Sequence, residues 1–195
     1  MITITKTLYH LADLKGAARE KAISAYQYAN TEFDDWYDNT LAEEIEKLAA
    51  EGYEDAKISF SGFASQGDGA SFTCNVNIPA WIKANRRANH YRALLRHVEK
   101  TNGITLKIKR TSHQYSHENT VGTEMDGHAD YEASDSVTKQ ACALESEVLA
   151  VARLRMKEIY RTLESEYDAL TEDEAVAETI EANEYTFNES GQPES

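Results

Sequence analysis

Alternating hydrophobic and polar positions predict a β-hairpin in the first half of the chain. Between residues 58 and 63, Ile58 and Phe60 alternate with serines, and between 72 and 78 the apolar positions are Phe72, Cys74, Val76 and Ile78. A period of two is the pattern of a strand with one buried face. Pro79 ends the second strand, and residues 64–70 form the connecting loop.

Helical periodicity predicts five helices around this hairpin. Asp13 is a candidate N-cap of the first helix, and Thr40 with Glu43 has the spacing of a capping box. Apolar residues at intervals of three and four predict helices over 13–28, 40–52, 80–101, 137–170 and 171–182. The apolar stripe of the third helix comprises Trp81, Ala84, Ala88, Tyr91, Leu95 and Val98.

Two further strands complete the predicted fold. Residues 104–109 alternate in polarity, and residues 114–121 can return beside them. The order of the elements predicts an α+β fold, in which helices cover an antiparallel sheet of about four strands and a long acidic helix lies toward the C-terminus. We expect a single α+β domain over residues 1–187, with residues 137–187 as an acidic helical region that can form a subdomain. Residues 188–195 have the composition of a flexible tail.

Charge is unevenly distributed along the chain. The formal net charge is −14, yet residues 83–110 contain nine Lys or Arg and a single acid, Glu99. Residues 162–195 contain eleven Asp or Glu and no Lys or Arg. An anionic surface repels nucleic acid phosphates and attracts basic protein surfaces. We therefore expect a protein partner, and we do not expect direct binding of nucleic acid.

Composition also bounds the location of the protein. No apolar run approaches the roughly 18 to 20 residues that span a bilayer, and residues 1–6 lack the apolar block of a signal peptide. We expect a cytoplasmic protein that has no membrane partner. Cys74 and Cys142, the two cysteines, are expected to be buried thiols in a reducing compartment.

The hairpin loop is the first candidate site, and its candidate ligand-binding residues are Ser65, Gln66, Gly67, Asp68, Gly69 and Ser71. Gly67 and Gly69 can adopt a positive φ and expose backbone N–H groups, while Asp68 can contribute an oxygen, which is how an anion or metal pocket can begin. The alternative is a turn made by Gly-Asp-Gly, with Gln66 and Ser71 holding the ends of the loop.

The second candidate site contains His113, Tyr115 and His117, which would share one face of a strand. Histidines four residues apart on a strand lie roughly 13 Å from each other, too far to bind one metal unless the backbone turns. Asp126 and His128 can complete a cluster suited to acid-base chemistry; the alternative is exposed polar histidines. We expect no bound metal and no cofactor. If the loop forms a site, Asp68 and the glycine N–H groups should lie near His113, Tyr115 or His117.

A basic patch on the third predicted helix contains Lys83, Arg86, Arg87 and Arg96. These side chains can bind phosphates, with Trp81, His90 or Tyr91 available for stacking on bases. Because Trp81 and Tyr91 lie on the apolar stripe, they are equally suited to the core. The acidic segments can instead neutralise the basic patch, either within one chain or across a homodimer.

The acidic surface is the remaining candidate, and it comprises Glu164, Glu166, Asp168, Glu172, Asp173, Glu174 and Glu178. Runs of like charge are usually solvated helix faces. The sharper hypothesis is that this surface imitates the phosphates of a nucleic acid and occupies a basic groove in a host defence protein or a nucleic-acid-processing protein.

The most specific motif of the chain lies at the hairpin loop, where Ser61-Gly62-Phe63 is followed by residues 65–72, Ser-Gln-Gly-Asp-Gly-Ala-Ser-Phe. Together with Tyr9, Leu14, the helix around residues 18–22 and the aromatic cluster at Trp36, it resembles a family of small uncharacterised proteins of bacteriophages and other mobile elements. The similarity covers about the first 80 residues best. Members of that family have an aromatic residue at the position of Ala64.

The resemblance implies a phage-encoded accessory protein and implies no reaction. With the charge segregation, it predicts a protein of the host cytoplasm that binds a host component. Such a protein is expected to inhibit a host defence system, in the manner of an anti-CRISPR protein, by protein binding or nucleic-acid mimicry. The alternative is a hydrolase or ligand-binding protein that uses the hairpin loop with His113 and His117 to bind a nucleotide or a metal.

Overall fold

A computed structural model describes residues 6–33, 35–101, 103–112, 114–127 and 134–194 of the chain. The described residues form two compact units. Unit 1 comprises residues between 6 and 38 together with residues between 163 and 194, and unit 2 comprises those between 39 and 162. Both described ends of the chain thus belong to unit 1.

Unit 2 contains the antiparallel sheet that the sequence predicted. Its strands are β2 (Tyr53–Phe60), β3 (Ala70–Val76), β4 (Thr105–Arg110) and β5 (Val121–Asp126), and they pair in the order β2-β3-β4-β5. Lys57 lies opposite Thr73, Cys74 opposite Ile108, and Leu106 opposite Met125. The predicted α+β class with a four-stranded antiparallel sheet is confirmed.

Helices of unit 2 pack against this sheet. The helices among the described residues are α1 (Ala17–Ala25) and α6 (Asp173–Ala182), both in unit 1, and α2 (Asp38–Ala50), α3 (Ile78–Ala84), α4 (Arg92–Thr101) and α5 (Asp135–Thr171). Ala141, Leu144 and Val148 of α5 recur at helical spacing and are fully buried, which is the stripe that predicted this helix. Arg153 of α5 donates a hydrogen bond to the carbonyl of Val121 in β5. The long C-terminal helix is confirmed.

The third predicted helix is two helices, α3 and α4. Arg86 between them has a φ of 56°, and its neighbour Arg87 donates a backbone hydrogen bond back to the Ile82 carbonyl, which is the arrangement that ends a helix. The single-helix prediction was wrong because Ala84 and Ala88 are exposed and bury no apolar stripe. The break lets Trp81 and Tyr91 both enter the core.

The strand predicted at residues 114–121 was also wrong. Strand β5 begins only at Val121, and residues 118–120 form a short 3₁₀ turn before it. The connection is closed by Thr111, whose N–H donates to the Thr120 carbonyl. Val121, Thr123 and Met125 alternate with Gly122, Glu124 and Asp126, but only Val121 and Met125 are strongly apolar, so the pattern was too weak to mark the strand.

Unit 1 has a hydrophobic core of its own. Strand β1 (Tyr9–His10) pairs antiparallel with β6 (Thr186–Phe187), next to α1 and α6. The buried side chains are Leu11, Leu14, Ala22, Ile23, Val176, Ala177, Ile180 and Phe187. Asp13, predicted as the N-cap of the first helix, instead ends the short 3₁₀ turn Leu11–Asp13, and Gly16 is the N-cap residue of α1.

The segment predicted as a flexible tail makes a hydrogen-bonded turn over residues 188–194. The Asn188 side chain accepts hydrogen bonds from the N–H groups of Ser190 and Gln192, and Glu194 N–H donates to the Thr186 carbonyl. Gly191 has a φ of 78° and is packed so closely that an added Cβ would lie 2.0 Å from the Ala18 carbonyl oxygen. The polar composition of residues 188–194 therefore did not predict this hydrogen-bonded turn.

The two cysteines differ in their surroundings. Cys74 is buried in β3, and this burial raises the pKa of its thiol to about 12. Cys142 on α5 is exposed, so the prediction of a second buried thiol was wrong; both cysteines are free. Among the helices described, none has a stretch long and apolar enough to cross a bilayer.

Candidate functional site

The hairpin loop of unit 2 is a closed turn. One carboxylate oxygen of Asp68, Oδ2, accepts hydrogen bonds from the N–H groups of Ala64 (3.0 Å) and Ser65 (2.6 Å). The N–H of Asp68 donates to the Ser65 carbonyl, and Ser61 N–H donates to the Gly69 carbonyl at the base of the loop. Asp68 therefore organises the loop, as an Asp side chain commonly does in turns.

The two loop glycines lie against the segment 115–117. A Cβ added at Gly67, whose φ is 97°, would lie 3.0 Å from the ring of Tyr115. A Cβ added at Gly69 would lie 2.5 Å from the Cβ of His117. The structure thus confirms the predicted proximity of the glycines to Tyr115 and His117, and it explains both glycines by close packing.

Hydrogen bonds within the fold hold the segment 115–117 in place. Arg110 donates from one terminal nitrogen to the Tyr115 carbonyl (2.8 Å) and to the Ser116 hydroxyl (2.9 Å). His117 accepts a hydrogen bond at Nδ1 from Asn119 N–H (3.2 Å), which assigns the proton of the neutral imidazole to Nε2. The rings of Tyr115 and His117 lie 6.2 Å apart. Arg110 was not among the residues chosen from the sequence.

The other predicted site residues are not gathered at one point. Ser65 and Gln66 are exposed, whereas Ser71 is buried in β3 opposite Ser59, where it does not reach the loop. Asp126 ends β5, five residues after Val121 and so about 17 Å along the strand from the end next to His117. His113 and His128 lie outside the described residues. The proposed cluster of Asp126 with His117 is therefore wrong.

Helix α5 contacts the beginning of the loop. The hydroxyl of Tyr160 donates to the Gly62 carbonyl (3.1 Å), and its ring lies 5.4 Å from that of Phe63. Phe63 also stacks on Phe60 at 5.9 Å. These aromatic contacts connect the loop motif to a helix about 100 residues later in the chain. Local sequence patterns do not predict contacts over such a separation.

Replacing Gly69 with alanine tests whether the contact between loop and His117 is tight. The added Cβ meets the Cβ and Cα of His117 at 2.5 and 2.9 Å, so the backbone of one segment must move. We expect a loss of about 1–3 kcal/mol in the free energy of unfolding and a shift of the His117 imidazole resonances in NMR spectra.

Gly62→Ala is the matched control for this variant. Its Cβ would meet only the Asp68 carboxylate at 3.5 Å, an ordinary contact. We expect a change within about 0.5 kcal/mol and unmoved His117 resonances. Equal effects of the two variants would show that the loop does not pack on His117 as described.

The residues of the basic patch lie on α3, on α4 and on the turn between them, since the predicted helix is broken. Arg87 forms an ion pair with Glu147 of α5, Nε to Oε1 at 2.7 Å, and the hydroxyl of Tyr91 donates to the other oxygen of the same carboxylate. Burial, and then the hydrogen bond to Glu147, raises the pKa of Tyr91. Arg87 thus has a role within the fold, but its partner is not in the acidic surface.

Lys83, Arg86 and Arg96 are exposed and form no ion pair or hydrogen bond with side chains in the part of the chain that the structure describes. Trp81 and Tyr91, proposed for base stacking, are buried at 0% and 1% exposure. The prediction that these two rings can stack on bases is therefore wrong, because neither ring has a face open to a base.

The acidic surface belongs to unit 1. Helix α6 buries Val176, Ala177 and Ile180 and leaves Asp173, Glu174 and Glu178 exposed. Glu181 is exposed on the same helix and extends the acidic surface. Glu172 and Asp168 before it are exposed, while Glu164 and Glu166 are half-buried. Glu172 is the N-cap residue of α6, and its side chain makes no capping hydrogen bond.

A groove beside the acidic surface was not predicted from the sequence. Its volume is about 420 Å³, and it lies between the segment 30–36, the end of α5 and helix α6, all in unit 1. The half-buried Trp36 lines it, together with the carboxylates of Asp35, Glu166 and Glu178. Among the residues that the structure describes, no Lys or Arg lines this groove.

Sequence comparison adds one finding. Residues 19–173 match the family described as a domain of unknown function, DUF8835. The matched range includes the hairpin loop and α5 and ends at the first residue of α6. No curated protein matches the chain. Likewise, no solved structure matches it.

Proposed function

We propose a function on the premise that the chain belongs to the DUF8835 family: it is a phage-encoded accessory protein that binds a basic protein of the host through the acidic surface of unit 1. By occupying a groove that would otherwise hold nucleic acid, it inhibits a host defence protein in the host cytoplasm. The proposal concerns this chain rather than the whole family, because α6 follows the matched residues.

One observation carries the proposal: the exposed side of α6 is anionic and belongs to a stable unit. Its buried side contributes Val176, Ala177 and Ile180 to the core of unit 1, so the helix is held by apolar packing and its carboxylates are available to solvent. No ion pair among the described residues engages Asp173, Glu174 or Glu178. Carboxylates fixed on a helix can imitate the spaced charges of a nucleic acid.

The hairpin loop supports a second candidate function, the binding of a small ligand. Gly67 and Gly69 lie against Tyr115 and His117, as such a site would require. However, Asp68 Oδ2 is used by Ala64 and Ser65, and Nδ1 of His117 is used by Asn119. A nucleotide or metal that raised the melting temperature of wild type but not of Gly69→Ala would favour this function over protein binding.

Recovery of a host partner tests the first function. The chain, immobilised on a resin, should retain a basic host protein from a lysate at low ionic strength and release it as salt rises, because exposed charge pairs are screened within about 10 Å at 0.1 M salt. A nucleic acid that the partner binds should compete with the chain for it. A partner that binds the chain and its nucleic acid at the same time would contradict the proposed mimicry.

Truncation after Leu163 is not a suitable test of the acidic surface. It would delete Val176, Ala177, Ile180 and Phe187, and these residues form half of the core of unit 1. Loss of binding would then report unfolding rather than charge. Glutamine substitutions at exposed carboxylates avoid this problem because they keep side-chain size and leave the core intact.

A further inference from the structure

We propose that the groove at Trp36 is the specificity pocket of the acidic surface and that it takes an arginine side chain of the partner. The inference rests on the proposed function, since it identifies which residue of a basic partner the surface recognises. Its basis is the combination of an aromatic ring and three carboxylates in one groove of about 420 Å³.

The indole of Trp36 is held in position by neighbouring rings. It lies 5.2 Å from the ring of Tyr37, edge to face, and 5.8 Å from the ring of Tyr167 on α5. A ring that is already fixed loses little conformational freedom when a ligand stacks on it. Trp36 is half-buried, so part of its surface remains open to the groove.

The walls of the groove are fixed as well. The Asn30 side chain donates to the Leu170 carbonyl (2.9 Å) and accepts a hydrogen bond from the Thr179 hydroxyl (2.7 Å). These two bonds connect the segment that carries Trp36 to the end of α5 and to α6. The amide of Asn30 is thereby used within the protein, and the charged groups that line the groove are carboxylates.

Charge and shape together favour a guanidinium group. A cation is attracted to the face of an indole, and Trp is the best aromatic partner for it. The planar guanidinium of arginine can stack on the ring while its edge donates paired hydrogen bonds to a carboxylate such as Asp35 or Glu178. The compact, strongly hydrated ammonium of lysine gains less from the same groove.

Two exposed aromatic residues precede the groove residues Asp35 and Trp36 in the chain. Phe33 is 71% exposed and Tyr28 is 59% exposed. Aromatic side chains are enriched at protein interfaces. The partner segment that fits is therefore basic, with arginine as its anchor and apolar residues beside it.

Two labelled peptides of equal length and equal positive charge, one with arginine and one with lysine, test the inference by fluorescence anisotropy. We expect the arginine peptide to bind about fivefold more tightly and to change the emission of Trp36. The other tryptophan, Trp81, is fully buried and hydrogen-bonded to Tyr53, so it serves as a constant background.

Trp36→Leu should remove the preference for arginine and leave the binding of the lysine peptide nearly unchanged. Asp35→Asn should also remove that preference, while weakening the lysine peptide only as much as the loss of one exposed charge does. Glu174→Gln with Glu181→Gln, outside the groove, should weaken both peptides equally. Asp35→Asn keeps the test valid even if Trp36→Leu perturbs folding. Equal binding of both peptides to wild type, with salt sensitivity retained, would overturn the arginine pocket but not the acidic surface. Failure of both peptides to bind at low salt would overturn the arginine pocket and the acidic surface together.

Discussion

A triple variant of helix α6, Glu174→Gln with Glu178→Gln and Glu181→Gln, should bind the basic partner about 10- to 100-fold more weakly than wild type at low ionic strength. Each carboxylate contributes roughly 0.5–1 kcal/mol to a pair with a partner cation, the upper part of the range for exposed pairs, because the partner shields it from solvent, and three such contributions are lost together. The dependence of the dissociation constant on salt should become shallower. Titration calorimetry over a range of NaCl concentrations measures both quantities.

A variant with the same change in net charge elsewhere is the control. Glu43, Glu46 and Glu99 are exposed in unit 2, and their replacement with glutamine also removes three negative charges. We expect this variant to bind within about threefold of wild type, since distant charges are screened. Equal weakening by both triple variants would indicate that net charge, rather than the acidic surface, determines binding.

Replacing Trp81 with alanine should lower the free energy of unfolding of unit 2 by about 3–5 kcal/mol. The indole is fully buried, and its Nε1 donates a hydrogen bond to the Tyr53 hydroxyl at 2.8 Å. Tyr53 in turn contacts the ring of Phe72 at 5.3 Å. The variant leaves a large cavity and an unpaired buried hydroxyl. Urea denaturation followed by circular dichroism measures the loss.

Tyr53→Phe separates the hydrogen bond from the packing. It keeps the ring and leaves the indole N–H without its acceptor, so we expect a smaller loss of about 1–3 kcal/mol. The double variant should lose less free energy of unfolding than the two single variants lose in sum, because the two residues share one hydrogen bond. A loss below about 1 kcal/mol for Trp81→Ala would contradict the described core.

The sequence correctly predicted those helices and strands whose pattern of apolar and polar residues lies within a single element. Ile58 and Phe60 of β2 and Phe72, Cys74 and Val76 of β3 alternate with polar residues, and α5 repeats its apolar stripe over many turns. The break between α3 and α4 could not be predicted from the local pattern, because Ala84 and Ala88 fit an apolar helical stripe although neither is buried. Burial of Trp81 and Tyr91 by the rest of unit 2 decides where that helix ends.

The candidate sites differ in the same respect: features of one segment could be predicted, whereas contacts between distant segments could not. The loop glycines were identified correctly as residues with a special environment, and their contact with Tyr115 and His117 followed the expectation. The groove at Trp36 was missed because its residues come from three separate segments, around 30–36, 166–170 and 175–179. Single-sequence patterns give no signal for residues that meet only in the folded unit.

The most direct test of the account is competition at the partner that the chain retains from host lysate. The partner's own nucleic acid should displace the chain, and the triple α6 variant should require about 10- to 100-fold more protein than wild type to occupy the partner. The control variant of unit 2 should behave as wild type does. Binding that is indifferent to salt, to the nucleic acid and to the α6 carboxylates would contradict the proposal that the acidic surface imitates a nucleic acid.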